Sequence, residues 1–175
     1  MFKELKVEQG YAHAGKTFTF DKGVTGIVGP NGVGKSLVLD YLRFALFGVK
    51  GLRSKAEHYP DLKVQLRFEL AGGEHQIERG LTKVTLKEPN GTQTSGTKAV
   101  NQRVAQLFGY GIEVFDIANC AMQGDLERFA KLTAAERKKM IDSVMGLDIL
   151  DFVAAKFQDD LRDKNPESLR YPTNW

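Results

Sequence analysis

Residues 29–36 of the chain read Gly-Pro-Asn-Gly-Val-Gly-Lys-Ser. This is the Walker A pattern, in which glycines let successive backbone N–H groups converge on phosphate oxygens. A short apolar run, residues 24–28, precedes the loop, and residues 37–47 follow it with apolar side chains at helical spacing. We therefore predict a strand buried on both faces, a phosphate-binding loop and a helix that Gly48 ends.

The loop gives distinct roles to two side chains. Lys35 is expected to reach the β and γ phosphates of a nucleoside triphosphate, and the hydroxyl of Ser36 to coordinate Mg²⁺. ATP is the expected nucleotide, because the sequence has no Asn-Lys-x-Asp motif for reading guanine. The helix that follows adds free amides and the positive end of its dipole. The residues expected around the phosphates are Asn31, Gly32, Val33, Gly34, Lys35, Ser36 and Leu37.

The rest of the chain predicts an α/β fold, a P-loop lobe with a mixed sheet, an antiparallel β-meander and C-terminal helices. Alternating apolar and polar residues predict strands near 5–7, 18–20, 64–70, 76–78 and 84–86. The last three strands form the meander. A helix is predicted to end at Gly109, and a capping box of Thr133 and Glu136 predicts the start of another.

Apolar residues step by three and four toward the carboxyl end, at Leu147, Leu150, Ala154, Phe157 and Leu161. This spacing is that of a coiled-coil seam, but about two heptads also fit an amphipathic helix packed on the core. We predict an ATPase lobe over 1–146, the start of a coiled coil over 147–164 and a frayed tail over 165–175.

Composition indicates a protein that is not in a membrane. No apolar run approaches the roughly twenty residues that span a bilayer, and the N-terminus lacks the apolar core of a secretion signal. The single cysteine, Cys120, is expected to be a buried apolar residue in a reducing compartment. We expect a cytoplasmic or nucleoid-associated protein, or a nuclear one in a eukaryote.

The sequence lacks parts that a P-loop hydrolase needs. Hydrolysis requires a second acid on Mg²⁺ and a group that orients the attacking water. The nearest candidate for that acid is Asp116, which stands in an apolar stretch with no glutamate after it. We expect Asp116 to be a structural polar residue and the chain to bind ATP with negligible hydrolysis.

Four segments resemble one family, the SbcC-type ATPase subunit of the double-strand-break-repair nuclease complex, within the ABC-type and chromosome-maintenance ATPases. The Pro-Asn-Gly form of the Walker A loop is typical of ABC-type members. The other segments are similar to the end of that family's first helix, its glutamine loop (Q-loop), and its entry into a long coiled coil. They are residues 42–48, residues 122–125, and residues 135–139 with 145–148.

The resemblance implies an ABC-ATPase-like lobe in which Gln123 touches Mg²⁺ and the attacking water. In this family a C-terminal lobe with Walker B and a Leu-Ser-Gly-Gly signature completes the site across an ATP-bound homodimer. The resemblance also implies a nuclease subunit and double-stranded DNA as partners. Ala12 departs from the family, which often has a basic residue near the nucleotide in the loop that connects the first two strands.

Alternatives stay open at this point. The chain could belong to another ABC-type chromosome or recombination ATPase, to a small-molecule kinase, or to a non-catalytic ATP-binding half-domain. The net charge of +3 is too small to indicate DNA by itself. Basic residues that could face DNA, each also readable as a solvated charge, are Lys50, Arg53, Lys55, Arg103, Arg137, Lys138 and Lys139.

Overall fold

The computed structural model describes residues 1–70, 72–120, 132–145, 147, 153 and 156–158. By its internal contacts the chain divides into two units, Met1–Phe115 and Asp116–Trp175. The first unit carries the sheet and the Walker A loop. None of the helices in the described part of the chain is long and apolar enough to cross a membrane.

A six-stranded antiparallel sheet organises the first unit. Its spatial order is β2-β1-β3-β4-β5-β6. Strand bounds are β1 Phe2–Gln9, β2 Thr17–Thr19, β3 Lys63–Leu70, β4 Gly73–Gly80, β5 Val84–Lys87 and β6 Gln93–Ser95. Every strand but the two edge strands is paired on both sides, so the backbone groups of the central strands are satisfied within the sheet.

The described part of the chain contains four α-helices, which are α1 Lys35–Phe47, α2 Thr97–Phe108, α3 Ile112–Asn119 and, in the second unit, α4 Ala134–Val144. Two short 3-10 helices, Gly48–Gly51 and Ala56–His58, lie between α1 and β3. Helix α1 contacts β3 and β4, and α2 contacts β5 and β6. Both helices therefore cover parts of the sheet's apolar face.

The apolar face follows from strict alternation along the strands. Leu5 pairs with Leu66 and Leu66 with Ile77 across β1, β3 and β4, and all three side chains are fully buried. Because side chains alternate between faces, their neighbours in sequence point away from the core. The alternation predicted from the sequence is therefore confirmed in these strands.

The opposite face of the sheet is a ladder of ion pairs. Lys63 of β3 lies 2.8 Å from Glu8 of β1 and 2.7 Å from Glu78 of β4. Further along the same face, past Gln65, Arg67 lies 3.7 Å from Glu4 and 3.1 Å from Glu74. Each of these two β3 cations is thus flanked by two acids.

A buried arginine joins the sheet to the end of α1. Arg79 of β4 is 2% exposed, and its guanidinium donates to the carbonyls of Ala45 (2.8 Å) and Leu46 (3.2 Å) and to Oδ1 of Asn101 (2.8 Å). Burial lowers the pKa of Arg79 to about 10, so the group stays protonated at neutral pH. A cation at a helix C-terminus also opposes the negative end of the dipole.

One part of the fold prediction is wrong. The apolar run 24–28 is not a strand of the sheet and is not buried, since Val24 and Val28 are 102% and 95% exposed and Ile27 is 39% exposed. All pairings among the described strands are antiparallel, so the predicted mixed sheet is also absent there. An apolar pattern predicts burial but does not say which segment covers it.

Most local predictions are confirmed. Gly48 ends α1 with φ 71° and Gly109 ends α2 with φ 80°, the positive values that glycine adopts without strain. The Thr133 N–H donates to Glu136 Oε2 at 2.8 Å, and the Glu136 N–H to Thr133 Oγ1 at 3.3 Å, which is the capping box. The short edge strand β6 was not predicted.

Most of the predicted coiled coil, 147–164, and the whole tail, 165–175, lie outside the described residues. The predicted domain boundaries at 146 and 164 therefore stay predictions. Asp116 lies in helix α3, and Cys120 is buried, as expected.

Replacing Arg79 with methionine should lower the free energy of unfolding by about 3 kcal/mol, because it leaves two buried carbonyls and one half-buried amide oxygen without their donor. Arg67→Met is the matched control and should cost less than about 1 kcal/mol, since its ion pairs are half exposed. Urea denaturation measures both. Equal losses would show that the Arg79 contacts do not hold α1 to the sheet.

Candidate functional site

The Walker A loop depends on glycines with left-handed backbones. Gly32 has φ 85° and Gly34 has φ 92°, a region that costs other L-residues about 1–2 kcal/mol. Gly34 is also crowded, because a Cβ built on it would lie 2.9 Å from Nε2 of His13. Glycine at position 34 is therefore required by backbone conformation and by space together.

The loop leads directly into the N-terminus of α1. Gly34 is the N-cap residue and makes no side-chain capping hydrogen bond, and no acidic residue lies in the first turn. The first amides of the helix are therefore not occupied by a capping side chain, and no carboxylate neutralises the positive end of its dipole. This arrangement suits a bound anion such as a phosphate group.

The ammonium of Lys35 lies over the loop. Its Nζ donates to the carbonyl oxygens of Gly29 and Pro30, each at 2.8 Å. Because an ammonium has three donors, two bonds to the loop leave one donor for a ligand. The predicted phosphate-contacting lysine is thus at the mouth of the loop.

The structure brings the other predicted loop residues together with Lys35. Ser36 is exposed in the first turn of α1, as an oxygen ligand of Mg²⁺ would need to be, and Leu37 is half-buried. Asn31, Gly32 and Val33 are exposed at the turn that precedes the helix. Gln123 lies outside the described residues.

The loop between β1 and β2 also reaches this site, which agrees with the position near the nucleotide that the family resemblance implies for it, but the contact of His13 was not predicted. His13 Nε2 lies 3.0 Å from the carbonyl oxygen of Gly34. The contact joins residues 21 positions apart, and a lone histidine between two strands gives no signal for it.

A buried carboxylate of helix α1 is paired with two arginines. Asp40 is 1% exposed, and its Oδ1 accepts a 2.8 Å bond from Nε of Arg53, while Arg43 lies 3.8 Å away. Burial raises the pKa of Asp40, and the two arginines partly offset this. Arg53, one of the residues considered for DNA, is therefore engaged within the fold.

The remaining basic candidates differ in their surroundings. Arg103 donates to both carboxylate oxygens of Glu88 at 2.8 and 2.7 Å, which commits its guanidinium to an internal pair. Lys50, Lys55, Arg137 and Lys138 are exposed. The structure thus removes Arg53 and Arg103 as free cations and leaves the DNA surface undefined.

A glycine loop with left-handed turns, an uncapped helix N-terminus and a lysine over the loop define a P-loop nucleotide-binding lobe. A family model described as the AAA domain matches residues 5–168. The chain belongs to that family.

Curated relatives give a more specific likeness. The chain is 26% identical to a DNA double-strand break repair Rad50 ATPase of Methanococcus maripaludis over 85% of its length. It is 29% identical to the SbcC subunit of the nuclease SbcCD of Bacillus subtilis over 72% of its length. The resemblance to SbcC-type ATPase lobes predicted from the sequence is confirmed.

A third relative belongs to the chromosome-maintenance branch. The chromosome partition protein Smc of Pyrococcus furiosus is 25% identical over 95% of the chain. The chain spans only 16%, 13% and 16% of the lengths of these three relatives, in the order given. What the whole relatives do is therefore a basis for proposals about this chain.

Substituting alanine at Gly34 should cost more stability than the same change at Gly32. Both variants force a left-handed alanine, which lowers the free energy of unfolding by about 1 kcal/mol. Only Gly34→Ala also displaces the imidazole of His13, since a Cβ at Gly32 meets nothing within 4 Å. Thermal unfolding without nucleotide compares them, and an equal loss would rule out the steric contact.

Proposed function

We propose that the chain is the ATP-binding half of a DNA double-strand-break-repair ATPase that regulates a partner nuclease through ATP-dependent dimerisation. The main observation behind this proposal is the geometry of the phosphate loop. The ammonium of Lys35 is bonded to the loop carbonyls, and the N-terminus of α1, which follows the loop, has no capping side chain. The names of the Rad50 and SbcC relatives support the repair context.

Residues 31–37 would hold the triphosphate of ATP. Their amides would surround the phosphate oxygens, and the ammonium of Lys35 would bind the β and γ phosphates by its remaining donor. Ser36 would hold Mg²⁺, which neutralises charge on the phosphates when bound. The absence of an acid in the first turn of α1 favours this use of the helix end.

Gln123 is proposed as a second Mg²⁺ contact and as a residue that orients the attacking water. This assignment rests on the resemblance of residues 122–125 to the family's Q-loop. It makes Lys35 and Gln123 the two residues of this chain that act on the reacting phosphate.

A C-terminal ATPase lobe is the proposed partner that completes the site. The run 24–28 supports it, because Val24 and Val28 are almost fully exposed and the segment is outside every described strand pairing. An exposed apolar segment directly before a phosphate loop is suited to pairing with a strand from elsewhere. We propose that the second lobe supplies that strand, together with the Walker B and signature motifs.

The proposed assembly includes a homodimer formed with ATP, a nuclease subunit and double-stranded DNA. The predicted seam of the coiled coil would extend from the lobe. Leu147 and Phe157 are 38% and 64% exposed, which leaves apolar surface for a second helix to cover. The proposed location is the cytoplasm or nucleoid, or the nucleus in a eukaryote.

A second candidate is a chromosome-structuring or recombination ATPase of the same fold. The likeness to the Smc relative over 95% of the chain favours it. The two candidates share the ATP site and differ in the partner, so binding of a nuclease subunit separates them. A small-molecule kinase and a non-catalytic half-domain remain weaker alternatives, the first testable by turnover with an acceptor.

Lys35→Ala should weaken Mg-ATP binding by about 10- to 100-fold, because it removes a charged contact to the terminal phosphates. Lys22→Ala, which changes an exposed lysine before the loop, should leave the affinity unchanged. Isothermal titration calorimetry measures both variants. Equal affinity of the Lys35 variant and the wild type would refute the assigned role.

The chain alone should hydrolyse ATP negligibly, and adding the C-terminal lobe should start turnover. Val24→Asp should leave the stability of this chain unchanged, because the side chain is fully exposed, yet it should prevent reconstitution. Val49→Asp, at a half-exposed site, is the control and should permit it. Steady turnover by the isolated chain would contradict the half-site proposal.

A further inference from the structure

The imidazole of His13 is fixed against the phosphate loop. Its Nε2 lies 3.0 Å from the Gly34 carbonyl oxygen, and its ring packs edge-on against Phe18 with centroids 5.3 Å apart. A carbonyl only accepts hydrogen bonds, so Nε2 carries the proton and donates. The same carbonyl accepts the N–H of Leu37 at 2.9 Å, inside the first turn of α1.

The backbone of His13 is held in an uncommon conformation. Its φ is 65°, in the left-handed region that is unfavourable for a residue with a Cβ. The Lys16 N–H donates to the His13 carbonyl at 2.9 Å and closes the turn. Strain of this kind persists where surrounding contacts fix the residue, and it is often found at functional sites.

The residue before His13 is fastened to α1 itself. The hydroxyl of Tyr41, a fully buried residue of α1, accepts from the Ala12 N–H at 3.3 Å and donates to the Ala12 carbonyl at 3.1 Å. The loop between β1 and β2 is therefore attached to the same helix whose N-terminus faces the proposed phosphate site. These bonds fix the position of His13 relative to the phosphate loop, because both are attached to α1.

The bond from His13, together with the one from the Leu37 N–H, fixes the orientation of the Gly34–Lys35 peptide unit. A peptide unit is planar and trans, so its C=O and N–H point in opposite directions. The Gly34 carbonyl points at His13, and the N–H of Lys35 in the same peptide unit points away from it. Lys35 is the first residue of α1, and its amide has no acceptor within the helix.

We propose that His13 is a positioning residue of the phosphate loop. By holding the Gly34 carbonyl, it orients the Lys35 amide toward the phosphates before the nucleotide arrives. This inference rests on the proposed function, that the loop binds ATP. His13 acts through the Gly34–Lys35 peptide unit and needs no contact with the nucleotide.

Two variants of the 175-residue chain separate this role from a purely structural one. His13→Gly removes the imidazole and its hydrogen bond but also relieves the left-handed strain, so the lost bond and the relieved strain oppose each other in stability. Its unfolding temperature should therefore stay near that of the wild type. His13→Gln keeps a side-chain N–H donor of similar reach and should restore the bond to Gly34.

Calorimetry with Mg-ATP and thermal unfolding are measured on the wild type and both variants. We expect His13→Gly to weaken ATP binding by about tenfold, equivalent to about 1.4 kcal/mol, and His13→Gln to bind within about threefold of the wild type. A His13→Gly variant that binds ATP like the wild type would overturn the positioning role. No binding by the wild type itself would instead overturn the proposed function.

Discussion

The left-handed backbone at Gly34 is the constraint on which the site depends. It turns the chain from the glycine loop into α1 and lets His13 approach to a distance that a Cβ would not allow. The other end of α1 is held to the sheet by Arg79. One helix therefore connects the phosphate loop to the core, and both of its ends are fixed by buried or half-buried polar contacts.

The first unit has an apolar face that is covered and an apolar segment that is not. The inner face of the sheet is closed by α1 and α2, while the outer face is a ladder of ion pairs such as those of Lys63. The run 24–28 is exposed and lies directly beside the phosphate loop. An unpaired segment at this place is what a lobe that needs a second lobe would present, which is the basis of the half-site proposal.

Most of the fold could be predicted from local signals in the sequence. The capping box at Thr133 and Glu136 involves neighbours, so the sequence alone specifies it. The run 24–28 was predicted to be buried but is exposed. An apolar pattern indicates that a segment favours burial, but it does not indicate which segment would cover it. Arg79 and His13 could not be predicted, since their contacts join residues 21 to 34 positions apart. The family was predicted from the glycine loop and from the other segments that resemble that family.

The central claim is that main-chain amides of the loop and first helical turn enclose the phosphates of ATP. Hydrogen–deuterium exchange of the 175-residue chain, with and without magnesium and a slowly hydrolysed ATP analogue, tests it most directly. The account predicts that the nucleotide slows exchange at the amides of residues 31–37. Unchanged exchange at these amides, with protection elsewhere or nowhere, would contradict it.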